Sequence, residues 1–417
     1  MINKYPMIKK GVRLHQGSIK NLISDINDPQ KFCEVGKNET EIMKKCDGKS
    51  TINGILKSYQ DKDKEDILNF IENNPYLIIN DNPTDSYIDI SGLKNIQIPE
   101  QIEIELTYNC NYKCDHCYNY ENFDKQDNIN KDKLFNFLKK MKKYGTRRLQ
   151  LTGGEIFNHP NSYEILKFVF QNFEHVILLS NLSLISDKEI NLISKYKDKL
   201  ILQISINNGD NETYSKFINN SDYNLDLILN KIKKLTNNGV IIEITTVVHE
   251  KNINEVEDII NLTKNIGCKN ISFSPIMKVG AALKNNFNNI SLNELNKIIK
   301  SYKNYIKKPK VQIGSKKCEL CNNAITITPT GNVKGCIIDM NNHFKLGNIF
   351  ENEIYDIFSK LNNTKIFEIN SPNKEECKDC NELEHCMNCI VKGLDKFKEL
   401  GDKCVWGKKY YTYSIIK

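Results

Sequence analysis

Three cysteines crowd one short run, Thr107-Tyr108-Asn109-Cys110-Asn111-Tyr112-Lys113-Cys114-Asp115-His116-Cys117-Tyr118, spaced Cys-x3-Cys-x2-Cys. Three thiolates on a single loop are one short of a closed tetrahedral zinc site. They suit three irons of a 4Fe-4S cluster and leave the remaining iron open to bind a substrate. Eight of the 14 cysteines lie beyond residue 310, as Cys318-x2-Cys321, Cys336, Cys377-x2-Cys380, Cys386-x2-Cys389 and Cys404. Close Cys-x2-Cys pairs in a reducing compartment read as metal or redox sites. Thr152-Gly153-Gly154-Glu155 adds two glycines that permit close backbone approach and a carboxylate able to pair with an ammonium. Cys33, Cys46 and Cys268 fall outside every pattern and read as small buried apolar residues without a role.

Composition narrows the class. A chain of 417 residues suggests about three domains of roughly 100 to 200 residues each. Hydrophobic residues make up 39% and charged residues 27%, and no apolar run approaches the roughly 18 residues of a membrane helix, so no membrane span is expected. The opening Met1-Ile2-Asn3-Lys4-Tyr5-Pro6 leads to Lys9-Lys10 without the apolar stretch of a secretory signal, which favours a cytoplasmic protein. The net charge of +7 comes from 59 basic and 52 acidic residues spread along the chain. That is a weak field for nucleic acid, which is not expected as a partner, but it tolerates an acidic peptide.

Strand and helix patterns alternate through residues 91–310. Strand candidates are Ile102–Leu106, Arg148–Leu151, Val176–Leu179, Leu200–Ile206, Val240–Val248 and Asn270–Pro275, with amphipathic stretches near 131–144, 161–173, 187–197, 222–237, 253–266 and 291–305. Such alternation specifies an α/β fold of parallel strands and crossover helices, with ligands at the strands' carboxyl ends, where the first cysteines lie. Residues 1–90 show three short strands around Val12–His15, Ile19–Ile23 and Lys31–Val35. Three helices follow, near 41–46, 52–59 and 64–73, the first capped by Asn38 or Thr40 and the second opened by Ser50 and Thr51. Together these suggest a small winged-helix-like domain. Residues 311–417 have weak periodicity, as if bound inorganic centres held them instead of an apolar core.

The run Cys110-x3-Cys114-x2-Cys117, with His116 in the aromatic position, resembles the signature of the radical S-adenosylmethionine (SAM) superfamily, and the likeness covers most of the chain. It implies a partial (β/α)6 TIM-like barrel with a SAM-binding 4Fe-4S cluster on Cys110, Cys114 and Cys117. A SAM pocket would be lined by His116, Thr152, Gly153, Gly154, Glu155, Ser180, Asn181, Ser205 and Asn207. Family members often carry Thr-Asn-Gly where this chain has Ser180-Asn181-Leu182. The resemblance implies reductive cleavage of SAM to a 5'-deoxyadenosyl radical that abstracts hydrogen from an unactivated position, with electrons from a reductant such as flavodoxin or ferredoxin. It names no catalytic residue beyond the cluster ligands.

The last eight cysteines, with Gly331, resemble the cysteine-rich SPASM domain, except that the spacer before Cys389 is two residues where the family has three. The resemblance implies two auxiliary 4Fe-4S clusters, one on Cys318, Cys321, Cys336 and Cys389 and one on Cys377, Cys380, Cys386 and Cys404, so three clusters in all. A pair of four-thiolate zinc sites in a non-catalytic interaction module is the alternative that the spacing also allows. Finally, Glu41 to Ile52, with Asp47-Gly48, resembles the helix turn of PqqD-like RiPP recognition elements, which bind the leader of a ribosomally made precursor peptide as an added strand, here beside Lys31–Val35. The implied function is a radical SAM/SPASM peptide maturase, with a thioether crosslink as the first product considered. Carbon–carbon or carbon–oxygen crosslinking, a sulfatase-type maturase and a tetrapyrrole-pathway enzyme remain open.

Overall fold

The structure is a computed structural model that describes residues 2–25, 28–268, 270–288, 290, 295, 297, 300, 318, 320, 321 and 324–411. The chain divides into two compact units, Met1–Glu100 with Lys140–Thr146, and Gln101–Lys139 with Arg147–Lys417.

The first unit runs β1 (Tyr5–Ile8), β2 (Val12–Gln16), β3 (Asn21–Asp25), β4 (Asp28–Val35), α1 (Lys37–Lys45), α2 (Ile52–Leu56), α3 (Asp61–Asn73), β5 (Leu77–Asn80) and β6 (Asp89–Gly92). β2, β3 and β4 pair antiparallel and β6 joins β2 in parallel, which leaves β4 at one edge of the sheet. β1 and β5 form a separate antiparallel pair. Three strands and three helices lie where the sequence places them. The four-residue β1, β5 and β6 are additions, too short for a period-2 pattern to register. The cap of α1 also differs from expectation: Gly36 occupies the N-cap, and buried Thr40 bonds back to the Gly36 carbonyl at 2.7 Å. Ile42, Met43, Ile52, Ile55, Ile67 and Ile71 turn one apolar stripe of each helix toward Leu14 and Ile23 of the sheet.

In the second unit, β7 (Gln101–Glu105), β8 (Arg148–Thr152), β9 (His175–Ser180), β10 (Leu200–Ser205), β11 (Ile242–Val248) and β12 (Asn270–Pro275) pair in parallel, each beside the next. These are the six expected strands, and with α4 (Lys131–Lys143), α5 (Ser162–Asn172), α6 (Asp187–Lys195), α7 (Asn211–Ile218), α8 (Leu225–Asn237) and α9 (Val256–Asn265) they make the partial (β/α)6 barrel. Helix starts are set by local chemistry: Asp210 caps α7, Asn224 caps α8, and Ser186 with Glu189 forms a capping box on α6. The strand registers put Ile102, Leu149, Leu178, Leu202, Ile244 and Ile271 on one fully buried face. The opposite face is mixed: Glu103, Gln150, Gln203, Glu243 and Ser272 lie on it beside Ile177, Leu179 and Ile201. A barrel filled by its own side chains would be apolar throughout on that face, so its polar groups suit a ligand cavity.

The sheet does not end at β7. β13 (Ala324–Ile327) pairs with β7 in parallel, and β14 (Asn332–Lys334) and β15 (Lys345–Asn348) follow antiparallel, giving nine strands. Nor is the carboxyl-terminal region short of apolar packing: Phe344, Leu346, Ile357, Phe358, Leu394 and Trp406 are buried, contrary to the sequence expectation. Its strands are three or four residues long, below what periodicity detects. The helix expected near 291–305 falls mainly outside the described residues. No described helix is long and apolar enough to cross a membrane.

Candidate active site

The loop that leaves β7 carries Cys110, Cys114 and Cys117, all partly exposed. It is held from several directions. The Lys113 and Asp115 N–H groups donate to the Ile218 and Phe217 carbonyls at the end of α7 (2.9 and 3.1 Å). Asn219, in the left-handed region at φ 51°, returns its amide to the Lys113 carbonyl at 2.9 Å. On the far side the Ala281 N–H reaches the Cys117 carbonyl at 2.9 Å. Gly280 before it has φ 54°, and a Cβ there would lie 2.5 Å from the same carbonyl, so only glycine allows this approach. Cys114 also lines a cavity of about 470 Å³ with Asp115, Tyr120 and Asn285.

Gly153 and Gly154 serve this loop directly. A Cβ on Gly153 would come within 2.4 Å of the Thr107 carbonyl, and one on Gly154 within 2.2 Å of the Asn109 carbonyl. The Gly154 and Glu155 N–H groups bond to Thr107 and Asn109 carbonyls at 2.7 and 2.8 Å. The close approach the two glycines permit is therefore to the cysteine loop of the chain itself. Thr152, buried at the end of β8, accepts from the Leu106 N–H at 2.9 Å. Glu155 is fully buried, and its carboxylate accepts from the Ser180 hydroxyl (2.7 Å), the Asn181 N–H (2.8 Å) and the Phe157 N–H (3.2 Å). Burial pushes its carboxyl up to about 7 against these three donors.

Glu155 thus binds the β8 loop to the β9 loop, which in turn touches the thiols. The Asn181 amide faces the Asn111 side-chain oxygen at 3.3 Å and the Cys110 sulfur at 3.9 Å, while Asn111 donates to the Ser183 hydroxyl at 2.8 Å. At Leu182 the backbone takes the left-handed turn, φ 61°, that glycine would supply at no steric cost. For leucine that conformation costs about 1–2 kcal/mol. Its side chain is fully buried, which contributes about 1.5–3 kcal/mol and offsets the strain.

His116 lies over Phe217 with ring centroids 4.8 Å apart, and Phe217 stacks on His249 at 5.5 Å. Nδ1 of His116 and Nε2 of His249 are buried and have no hydrogen-bond partner among the described residues. The Lys251 N–H donates to His249 Nδ1, so Nε2 carries the proton and presents an unsatisfied donor. Ser205 is exposed at the end of β10; Asn207 is buried, and its side-chain oxygen accepts from the Val247 N–H at 2.8 Å. Sequence reasoning passed over His249 and the buried network on the inner face of β7. There Gln150 and Thr326 hold Glu103 (2.6 and 3.1 Å), the Tyr118 hydroxyl donates to Glu105 at 2.9 Å, and Lys334 lies 3.9 Å from Glu105. A charged alternation in the run Ile102 to Glu105 was the available signal.

The other thiols fall into two groups by mutual electrostatic influence. Cys321 and Cys336 each feel Cys318, Cys321 feels Cys336, and Cys336 feels Cys389, which itself feels Cys318. Cys377 feels Cys380 and Cys404, and Cys386 feels Cys404 and Cys380. The backbone is built around sulfur: a Cβ on Gly335 would come 2.2 Å from the Cys321 sulfur. Cys404 caps the last helix, Val405–Tyr410, by accepting from the Gly407 N–H. Of the remaining three, Cys46 and Cys268 are buried, whereas Cys33 on the edge strand β4 is exposed, contrary to the sequence expectation.

Burial pushes Cys110 and Cys336 up to about 12 and Cys117 and Cys389 up to about 11. Thiols raised in this way stay protonated until a cationic centre takes the proton's place, which is how iron binding drives out protons. Among the described residues, no three His, Cys, Asp or Glu side chains close to the geometry of a single ion. Each thiolate of a cluster binds a different iron, so a cluster site is wider than an ion site. The thiol groups fit iron–sulfur clusters, and the unsatisfied imidazole donor beside the first of them fits a nucleotide-bearing cofactor.

The barrel and its thiol loop define the class. Residues 104–263 match the radical SAM superfamily model and residues 318–381 match the SPASM iron-sulfur cluster-binding domain. The chain therefore carries a radical SAM domain and a SPASM domain and is an enzyme; the two matches imply 4Fe-4S clusters, and the first implies SAM. It is 26% identical to the antilisterial bacteriocin subtilosin biosynthesis protein AlbA of Bacillus subtilis (strain 168), over 99% of this chain and 98% of AlbA. It is 25% identical to the sporulation killing factor maturation protein SkfB of the same strain, over 48% of each chain. Its fold resembles Streptococcus suis SuiB bound to precursor peptide SuiA, with a TM-score of 0.67 at 13% identity, covering 94% of this chain and 97% of SuiB.

Proposed function

We propose that this enzyme matures a ribosomally synthesised precursor peptide, with residues 1–90 as a PqqD-like domain that holds the leader, residues 91–310 as the radical SAM core and residues 311–417 as a SPASM domain with two auxiliary clusters. The observation that carries the reading is the end-to-end similarity to a bacteriocin biosynthesis protein, which includes the first hundred residues as well as the barrel. The fold likeness to a precursor-bound SuiB supports it. So does β4, an edge strand whose outward backbone groups are a template for an added strand.

Cys110, Cys114 and Cys117 would hold the first cluster, which with SAM supplies reductive carbon–sulfur cleavage and hydrogen abstraction. Cys318, Cys321, Cys336 and Cys389 would hold one auxiliary cluster and Cys377, Cys380, Cys386 and Cys404 the other. The chain's own residues orient and dry the site: Glu155 aligns the Ser180 and Asn181 loop against the thiols. His116 and His249 offer nitrogen atoms to a bound heterocycle. The face of β7 to β12 that carries Glu103, Gln150 and Gln203 receives the peptide core. A reductant of the flavodoxin or ferredoxin kind would approach from the cavity beside Cys114. The first product considered is a thioether from a cysteine sulfur to a carbon of another residue.

The test is incubation of the anaerobically reconstituted enzyme, SAM and dithionite with peptides synthesised from the short reading frames that neighbour its gene. The expected product is lighter by two hydrogens per crosslink and has lost one alkylatable thiol per crosslink. A lighter product with every thiol still alkylatable would refute the thioether, and a precursor that neither binds nor changes would refute the peptide substrate.

A further inference from the structure

We propose that Lys231 is a positioning residue for the thiol loop, its ammonium clamping the carbonyls of Leu182 and Ser183 so that a left-handed turn persists at a leucine. Lys231 projects from α8, and its Nζ donates to the Leu182 carbonyl at 3.1 Å and to the Ser183 carbonyl still more closely. The base of the clamp is rigid. Asn224 caps α8, and Ile228, Ile232 and Leu235 bury one stripe of it.

The clamped turn is the strained one. Leu182 has φ 61° and is wholly buried, and its N–H is bonded to the Ser180 hydroxyl at 2.8 Å. Two devices hold the segment in this conformation from opposite ends: the Glu155 carboxylate takes Ser180 and Asn181, and the Lys231 ammonium takes Leu182 and Ser183. Their opposite charges also attract, since Lys231 favours the ionised form of Glu155. From the segment the contacts pass to the first cysteine. Ser183 accepts from Asn111, and the Asn181 amide faces Asn111 and the Cys110 sulfur. A loop free to relax at Leu182 would withdraw these contacts. Glycine at this position would need no clamp, because it enters the left-handed region unaided; lysine and leucine therefore act as a pair.

The inference rests on the reading of the chain as a SAM-binding enzyme, and a double-mutant cycle on the full-length reconstituted protein tests it. Lys231→Met is expected to raise the dissociation constant for SAM about tenfold, the effect of losing a charge-assisted hydrogen-bonded clamp. Lys231→Arg is expected to restore binding. Leu182→Gly sheds a buried side chain and carries a cost of its own, so the comparison is made within each background: with glycine at 182, Lys231→Met should change SAM affinity by no more than about threefold. Equal losses in both backgrounds, or wild-type binding by Lys231→Met, would overturn the proposal. If Lys231→Met alone does not fold, Lys231→Gln decides: its shorter amide cannot span both carbonyls and should bind SAM more weakly than Lys231→Arg, and wild-type binding by Lys231→Gln would overturn the proposal. Urea unfolding of the same four proteins reads the coupling without SAM. A wild-type protein that binds no SAM while the unfolding cycle still shows coupling would refute the SAM reading and leave the clamp standing.

Discussion

Replacing Glu155 tests how the site is organised. In Glu155→Ala the Asn181 and Phe157 N–H groups lose the buried carboxylate that accepts from them, while the Ser180 hydroxyl can rotate away. A buried backbone donor left unpaired costs about 1–3 kcal/mol, so the two together destabilise by about 2–6 kcal/mol. Glu155→Gln keeps one acceptor oxygen and turns an amide NH2 toward one of the donors, which leaves one unpaired at about 1–3 kcal/mol. The order of stability should be wild type, then Gln, then Ala. SAM affinity should fall in the same order, because the Ser180 and Asn181 loop that Glu155 holds touches the Cys110 loop. Urea unfolding and equilibrium dialysis with labelled SAM measure the two series. An alanine variant as stable as wild type, or a glutamine variant weaker than alanine, would show that Glu155 does not carry the loop.

Other outcomes follow from the same geometry. Burial, then the charge of Glu105, pushes Glu103 up to about 7 from its ordinary 4.5. The folded chain then binds that proton more tightly than the unfolded chain, so stability falls as pH rises from about 4.5 to about 7, by up to about 1.4 kcal/mol per pH unit. Glu103→Gln should flatten that slope in urea midpoints taken across the window, and an unchanged slope would refute the assignment. Cys389→Ala and Cys377→Ala should each remove about four of about twelve irons and an equal number of sulfides per chain. Zinc in the wild-type protein, or loss of eight irons from either variant, would contradict the two-group assignment. Proline at Cys33 and at Glu34 on β4 should differ, because alternate N–H groups of an edge strand point outward. One of the two should weaken leader binding about tenfold in fluorescence anisotropy, and equal wild-type binding by both would exclude this edge.

The six parallel strands of the barrel were legible because each is buried on one face and bounded by turn residues, and because amphipathic helices separate them. Strands of three or four residues were not. β13 to β15 extend the sheet beyond β7, yet none is long enough to show alternation, and dense cysteines drew attention away from the apolar residues around Phe344, Phe358 and Trp406. At the site, residue types and spacing pointed to Cys110, Cys114, Cys117, Gly153 and Gly154. What the glycines approach could not be read from them: the neighbour is the Thr107 to Asn109 backbone, which is close only in the folded chain. Leu182 is the clearest case. A leucine announces no left-handed turn, and the lysine that secures it lies 49 residues further on. Long-range pairs such as Lys231 with Leu182, or Lys334 with Glu105, leave no local pattern to find.

The central claim is that three thiolates on the β7 loop leave one iron open to SAM. The most direct measurement is 5'-deoxyadenosine released from SAM under dithionite by the anaerobically reconstituted wild type and by Cys114→Ala. Release by the wild type and none by the variant is the predicted result. No release by a fully iron-loaded wild type, or equal release by both proteins, would contradict it.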